Sequence, residues 1–128
     1  MRTRTLIPAL LLGLVACSAP VASDQLDPES PDVADAITIN LADFMLDPSE
    51  LEAAGPTVTL EVTSDGPTPH NLTVRNAAED VLMATDDLSA GDTDTISGDL
   101  EPGEYTIFCS FAGHESLGMS GTLTVTGD

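Results

Sequence analysis

From Ile37 onward the chain alternates apolar and polar residues in short runs, and clusters of Pro, Gly, Asp and Ser separate the runs. A period of two sends every second side chain to the same face, which suits half-buried strands and denies a helix its continuous apolar stripe. Ile37, Ile39 and Leu41 alternate with Thr38 and Asn40, and Val58, Leu60 and Val62 alternate with threonines and a glutamate. Further runs follow at Leu72 to Val74, Val81 to Ala84, Thr93 to Ile96, Tyr105 to Cys109 and Leu123 to Val125. Asp47-Pro48-Ser49-Glu50 and Ser64-Asp65-Gly66-Pro67 carry the residues of tight turns. The spacing predicts an all-β sandwich of six to eight strands, with helix confined to one turn in Ser49 to Ala54. Four aromatic residues and no Trp leave the core to aliphatic side chains.

The residues before this domain read differently. Arg2 and Arg4 precede an apolar stretch from Leu6 to Val15, the layout of an export signal over residues 1–16. About ten apolar residues fall short of the roughly twenty needed to span a bilayer. Leu14-Val15-Ala16-Cys17 resembles the lipobox of bacterial lipoprotein signals. That resemblance implies that Cys17 takes a diacylglyceryl group, becomes the mature N-terminus and anchors the chain outside the cytoplasm, on the periplasmic or cell-surface side. A plain secretory signal with an incidental Cys is the other reading. Residues 17–35, rich in Ser, Ala, Pro and acids, read as a flexible acidic tether. Residues 36–128 form the folded domain.

Charge excludes one class of partner. The chain has 3 Lys+Arg against 22 Asp+Glu, a formal net charge of −19, and phosphate backbones are bound by clustered cations. Nucleic acid is therefore not an expected partner. Loss of residues 1–16 would leave Arg75 as the only Arg or Lys.

The chemistry concentrates in Cys109-Ser110-Phe111-Ala112-Gly113-His114-Glu115-Ser116-Leu117-Gly118-Met119, a C-x4-H-x4-M loop between the last two strands. His70 shares the parity of Leu72 and Val74, so it faces inward with them. Two imidazoles, a thiolate and a weak axial thioether are the donor set of a blue-copper electron-transfer site. Each residue alone has an ordinary structural role. A catalytic Cys–His pair lacks an evident third group to orient the His, and structural zinc rarely takes Met. A Cys17–Cys109 disulfide would need the tether to fold back.

Pro69-His70-Asn71 together with YTIFCSFAGHESLGMSGTLTV resembles the copper site of cupredoxins, the family of plastocyanin, azurin and rusticyanin. The likeness spans roughly Ala36 to Asp128, including the ITINLADFMLDPSEL stretch. It implies a Greek-key sandwich holding one type 1 copper ion, with His70, Cys109 and His114 as equatorial ligands and Met119 as axial ligand. C-x4-H-x4-M is closest to rusticyanin-like and sulfocyanin-like spacing, although the acidic composition points to neither. A binuclear centre would need a second Cys in the loop, and there is none.

The same resemblance assigns roles around the ligands. Asn71 would tie the two ligand loops together, the amides of Asn71 and Phe111 would donate to the thiolate, and the carbonyl of Pro69 would lie opposite Met119. Electrons would leave through His114, inside a collar of Phe111, Ala112, Gly113, Leu117, Gly66 and Pro67. Asp86, Asp87, Asp92, Asp94, Asp99, Glu101 and Glu104 would steer a basic redox partner, such as a c-type cytochrome, or an oxidase or reductase. Plain solubility would explain the same acids. The expected protein is a monomeric, lipid-anchored electron carrier and not an enzyme. A copper chaperone or sensor lipoprotein, and a metal-free structural or adhesion sandwich, are the alternatives.

Overall fold

The structure, a computed structural model, describes residues 35–127. The signal segment, Cys17 and nearly all of the tether lie outside the described residues. Nine strands run in chain order: β1 (Ile37–Ala42), β2 (Met45–Asp47), β3 (Glu50–Ala54), β4 (Thr57–Ser64), β5 (Thr73–Arg75), β6 (Val81–Ala84), β7 (Thr93–Asp99), β8 (Gly103–Phe108) and β9 (Ser120–Thr126). They form two sheets, ordered β2-β1-β4-β7 and β3-β9-β8-β5-β6. β1 pairs with β4 and β3 with β9 in parallel, while the remaining pairs are antiparallel. The expected sandwich is present. Among the described residues the only helical element within the domain is a single 3-10 turn at Glu115–Leu117.

The core is the set of inward faces that the alternation marks. Ile39 and Leu41 of β1, Val58, Leu60 and Val62 of β4, and Leu72 and Val74 at β5 are buried, opposite Ile107, Leu123 and Val125. The period of two thus becomes an aliphatic layer between two sheets, each buried Leu, Ile or Val contributing about 1.5–3 kcal/mol of transfer free energy. The edge strand β7 alternates between exposed and half-buried positions. Its hydroxyls bond across to β4 instead, Thr59 with Ser97 at 2.9 Å and Thr63 with Thr93 at 3.0 Å.

Two of the nine strands fall outside the runs read from the sequence, and both lie in the N-terminal stretch. The expected helical turn at Ser49 to Ala54 is β3, with Leu51 and Ala53 buried and paired in register with Leu123 and Val125. Glu-Leu-Glu-Ala-Ala has good helix propensity, but five residues are too few to nucleate a helix in competition with a waiting sheet edge. The other strand, β2, arises because the chain reverses at Asp43-Phe44. Leu41 pairs with Leu46 across this hairpin, and Phe44 takes a positive φ of 64°.

Candidate metal centre

His70 lies just before β5, and its backbone is fixed by an isolated antiparallel bridge to Leu88, in the segment between β6 and β7. Its N–H donates to the Leu88 carbonyl at 2.9 Å, and its own carbonyl accepts from Leu88 N–H at 2.7 Å. With Leu72 and Val74 facing the core, the same parity turns His70 inward, and it is fully buried. Cys109 directly follows β8 with the parity of Ile107, and both are fully buried. The intervening loop closes on itself through its own backbone. Cys109 N–H donates to Met119 O at 3.1 Å, Met119 N–H to His114 O at 3.0 Å, and His114 N–H to Phe111 O at 3.0 Å.

These constraints bring three donor atoms together. His70 Nδ1 and His114 Nδ1 are 3.3 Å apart, Cys109 Sγ and His114 Nδ1 are 3.5 Å apart, and all three atoms lie within 4.8 Å of one another. In a trigonal plane the ligand separation is √3 times the bond length, or about 3.5 Å for bonds near 2.0 Å. The donor set therefore fits a thiophilic ion such as copper. Met119 is fully buried, and its main chain bonds directly to those of Cys109 and His114. Pro69 is exposed beside His70.

A profile of the cupredoxin-like domain matches residues 8–125. The chain belongs to the cupredoxin family. Among solved structures this cupredoxin is similar to the dithionite-reduced auracyanin of Roseiflexus castenholzii, with 21% identity and a TM-score of 0.67 over 72% of this chain and 97% of that one. It is also similar to the Az-iso2 azurin of Methylomonas sp. strain J, at 19% identity and TM-score 0.63 over 71% and 97% of the two chains. A purple cupredoxin from Nitrosopumilus maritimus gives 27% identity and TM-score 0.52 over 70% and 98%. Comparison with curated protein sequences gives no match.

Asn71 ties the segment that carries His70 to the segment that follows Cys109. Its carbonyl oxygen accepts from Ser110 N–H at 2.8 Å, and its amide donates to Ser110 Oγ at 2.8 Å and to Asp87 Oδ1 at 3.1 Å. A second tie comes from Arg75, whose guanidinium forks onto both carboxylate oxygens of Glu115, next to His114. The same guanidinium lies 4.2 Å from the centre of the Phe108 ring. Glu115 holds the Arg75 proton more firmly than usual, chiefly through this hydrogen bond. The cation that the charge count singled out thus anchors the ligand loop to β5.

The collar differs from expectation in two ways. Gly66 is buried behind His70 and is not part of a rim: a Cβ there would lie 2.5 Å from His70 Nε2. Phe44 joins the rim instead, about half exposed, with its ring edge-on to His114 at 5.8 Å. Phe111 stacks at 5.7 Å on His114 while also packing on the core, and Leu117 is exposed. Phe44 belongs to the hairpin that a continuous strand reading passes over. Its signal is a parity break, from odd-numbered apolar positions at 37, 39 and 41 to an even one at Leu46.

Proposed function

We propose that this cupredoxin is an electron carrier with one type 1 copper ion held by His70, Cys109 and His114, with Met119 as the weak axial ligand. The convergence of His70 Nδ1, Cys109 Sγ and His114 Nδ1 is the observation that carries this reading. Copper, when bound, supplies a one-electron couple. The chain's own residues supply the rest. Cys109 contributes a thiolate, His70 and His114 contribute imidazole lone pairs, and the closed backbone of the Cys109–Met119 loop holds the donors in nearly one arrangement. A preformed cage moves little when the charge of its occupant changes, and that favours rapid electron transfer. The amides of Asn71 and Phe111 are assigned as donors to the thiolate and the Pro69 carbonyl as the contact opposite Met119.

In this reading His114 is the exit, because it alone of the three donors is half-exposed. Phe44, Phe111 and Leu117 surround it and give a partner an apolar landing of small area, suited to brief docking. A redox protein such as a c-type cytochrome, an oxidase or a reductase is the proposed partner. The lipid on Cys17 and the tether over residues 18–35 would keep the domain beside a membrane, outside the cytoplasm. Four protein ligands leave no open position for a substrate, which favours carriage over catalysis.

Titration of the domain with Cu(II) tests the reading. One equivalent should bind, produce the intense visible absorption of a copper–thiolate bond, and bleach reversibly with reductant. Stoichiometric binding without reversible bleaching would favour a chaperone or sensor. No binding, with Cys109 open to alkylation after mild unfolding only, would favour a metal-free sandwich.

A further inference from the structure

The outer nitrogen of His70 faces an acid that comes from the opposite sheet. Nε2 lies 3.0 Å from Asp43 Oδ1, at the hairpin between β1 and β2, while Nδ1 of the same ring points at His114 and Cys109. Thr68 Oγ donates to the same carboxylate oxygen at 2.6 Å. An ionised carboxylate only accepts, so the Nε2–H of His70 donates to Asp43 just as the Thr68 hydroxyl does. An imidazole that donates from Nε2 presents a bare lone pair at Nδ1.

The surrounding residues leave room for this contact and for little else. A Cβ at Gly66 would lie 2.5 Å from His70 Nε2 and 2.8 Å from Asp43 Oδ1. Any residue larger than glycine would wedge the carboxylate and the ring apart. Asp43 is only about one-third exposed and His70 is fully buried, so the pair is poorly screened by water.

We propose that Asp43 is a positioning residue for the metal centre: it fixes the His70 tautomer, aims Nδ1 inward and biases a bound ion toward its higher charge state. Negative charge passed through a hydrogen-bonded imidazole makes Nδ1 a stronger donor, and the gain is larger for the more highly charged ion. The second half of the proposal rests on the copper reading. The first half concerns the polypeptide alone.

Nitrogen-15 NMR of the metal-free protein reads the first half directly. Wild-type His70 should be a single Nε2–H tautomer, and Asp43→Ala should convert it to a mixture. Gly66→Ala should do the same by wedging the pair apart with the acid still present, which covers the case in which Asp43→Ala fails to fold. An unchanged tautomer in folded Asp43→Ala or Gly66→Ala protein overturns the hold on His70. Asp43→Asn keeps an acceptor and removes the charge, so it reads the second half. Its ratio of Cu(II) to Cu(I) affinity should fall by about tenfold, a rise in potential of about 59 mV. Glu101→Gln removes an equal charge from an exposed residue whose side chain makes no hydrogen bond among the described residues, and should produce a much smaller shift. Equal shifts for the two variants overturn the bias. A wild-type protein that binds no copper overturns the copper reading and the bias together, while the NMR result still decides the hold on His70.

Discussion

His70 and His114 bring the same ring nitrogen to within 3.3 Å of each other, yet their surroundings are opposite in kind. His70 is sealed. Its backbone is locked to Leu88, its outer nitrogen is tied to Asp43, and its neighbour Asn71 is bonded across to Ser110. His114 is half-exposed, lies between the rings of Phe44 and Phe111, and among the described residues makes hydrogen bonds with its side chain through Nδ1 only. One ring is held by polar bonds to a fixed strand, and the other by apolar contacts on a loop. Under the proposed function the difference would serve two tasks, fixing a metal and passing an electron, which a single environment would serve badly.

The donor common to both histidines gives the largest expected effect. Cys109→Ser removes the thiolate while keeping the volume nearly constant in a fully buried site. The visible charge-transfer absorption should vanish. Cu(II) affinity should drop by more than the roughly 10–100-fold typical of losing an outer partner of a ligand. Absorption and a competition titration read both. A serine variant that keeps the colour would mean that the thiolate is not the ligand.

The contrast itself is broken by replacing each ring with glycine and supplying imidazole. His114→Gly opens a gap at the surface, and free imidazole should enter and restore the absorption. His70→Gly leaves a cavity behind a closed strand, so imidazole should restore little. The buried cavity should also cost about 2–4 kcal/mol of stability, by analogy with large-to-small core changes, whereas the exposed gap should cost far less. Equal rescue of the two variants would show that the apparent asymmetry is not a property of the folded protein in solution.

The convergence of His70, Cys109 and His114 was legible from spacing and parity. C-x4-H-x4-M set three donors on one loop, and the shared parity of His70, Leu72 and Val74 turned the fourth inward. The residues that hold those side chains were harder to read. Asp43 and Phe44 sit in a turn with no Pro, Gly or Asn, marked only by a single Asp and by the parity change between Leu41 and Leu46. Arg75 and Glu115 are forty positions apart, and their pairing depends on β5 lying beside β8. Gly66 looks like an ordinary turn glycine until the ring behind it is in place. Periodicity records which face a residue occupies, and it carries no information on which strand lies across from it.

Arg75→Met tests whether the loop bearing His114 is held from outside. The Arg75 side chain is 20% exposed and that of Glu115 is 36% exposed, so solvent screens the pair considerably. The expected loss is about 1 kcal/mol. Methionine retains most of the apolar contact with Phe108, so the change reports on the fork to Glu115 together with the more exposed pair of Arg75 with Glu79 at 3.1 Å. In the metal-free protein, amide exchange should quicken across residues 111–118 and stay unchanged at Leu72, Val74 and Leu88. Quickening at both places would mean that the guanidinium stabilises the sheet as a whole.

At the exposed rim the expected effects are on partner reactions and not on stability. Leu117→Asp should change stability by no more than about 0.5 kcal/mol, as for other surface positions. It should slow electron transfer to a protein partner roughly tenfold, equivalent to 1.4 kcal/mol, and leave reduction by a small reagent nearly unchanged. A matching loss with both reactants would place the exit elsewhere.

The smallest effect separates two groups of acids that composition counts together. Asp87 is exposed and bonded to Asn71, one residue from His70, so it belongs to the end of the sandwich where His114 emerges. Glu104 lies near the start of β8, which ends at Phe108 beside the ligand loop, and Asp99 closes β7 opposite Thr57 at the far end of β4. A strand of this length spans about 17–20 Å, against a screening length of about 8 Å at physiological salt. A basic partner docked at His114 would feel Asp87 and would scarcely feel Glu104. Asp87→Asn should therefore flatten the fall of the electron-transfer rate with ionic strength, while Glu104→Gln should leave that slope almost unchanged. Asparagine can still accept the hydrogen bond from Asn71, so the tie to the ligand loop survives the change. Equal slopes in wild type and both variants would assign the acids to solubility alone.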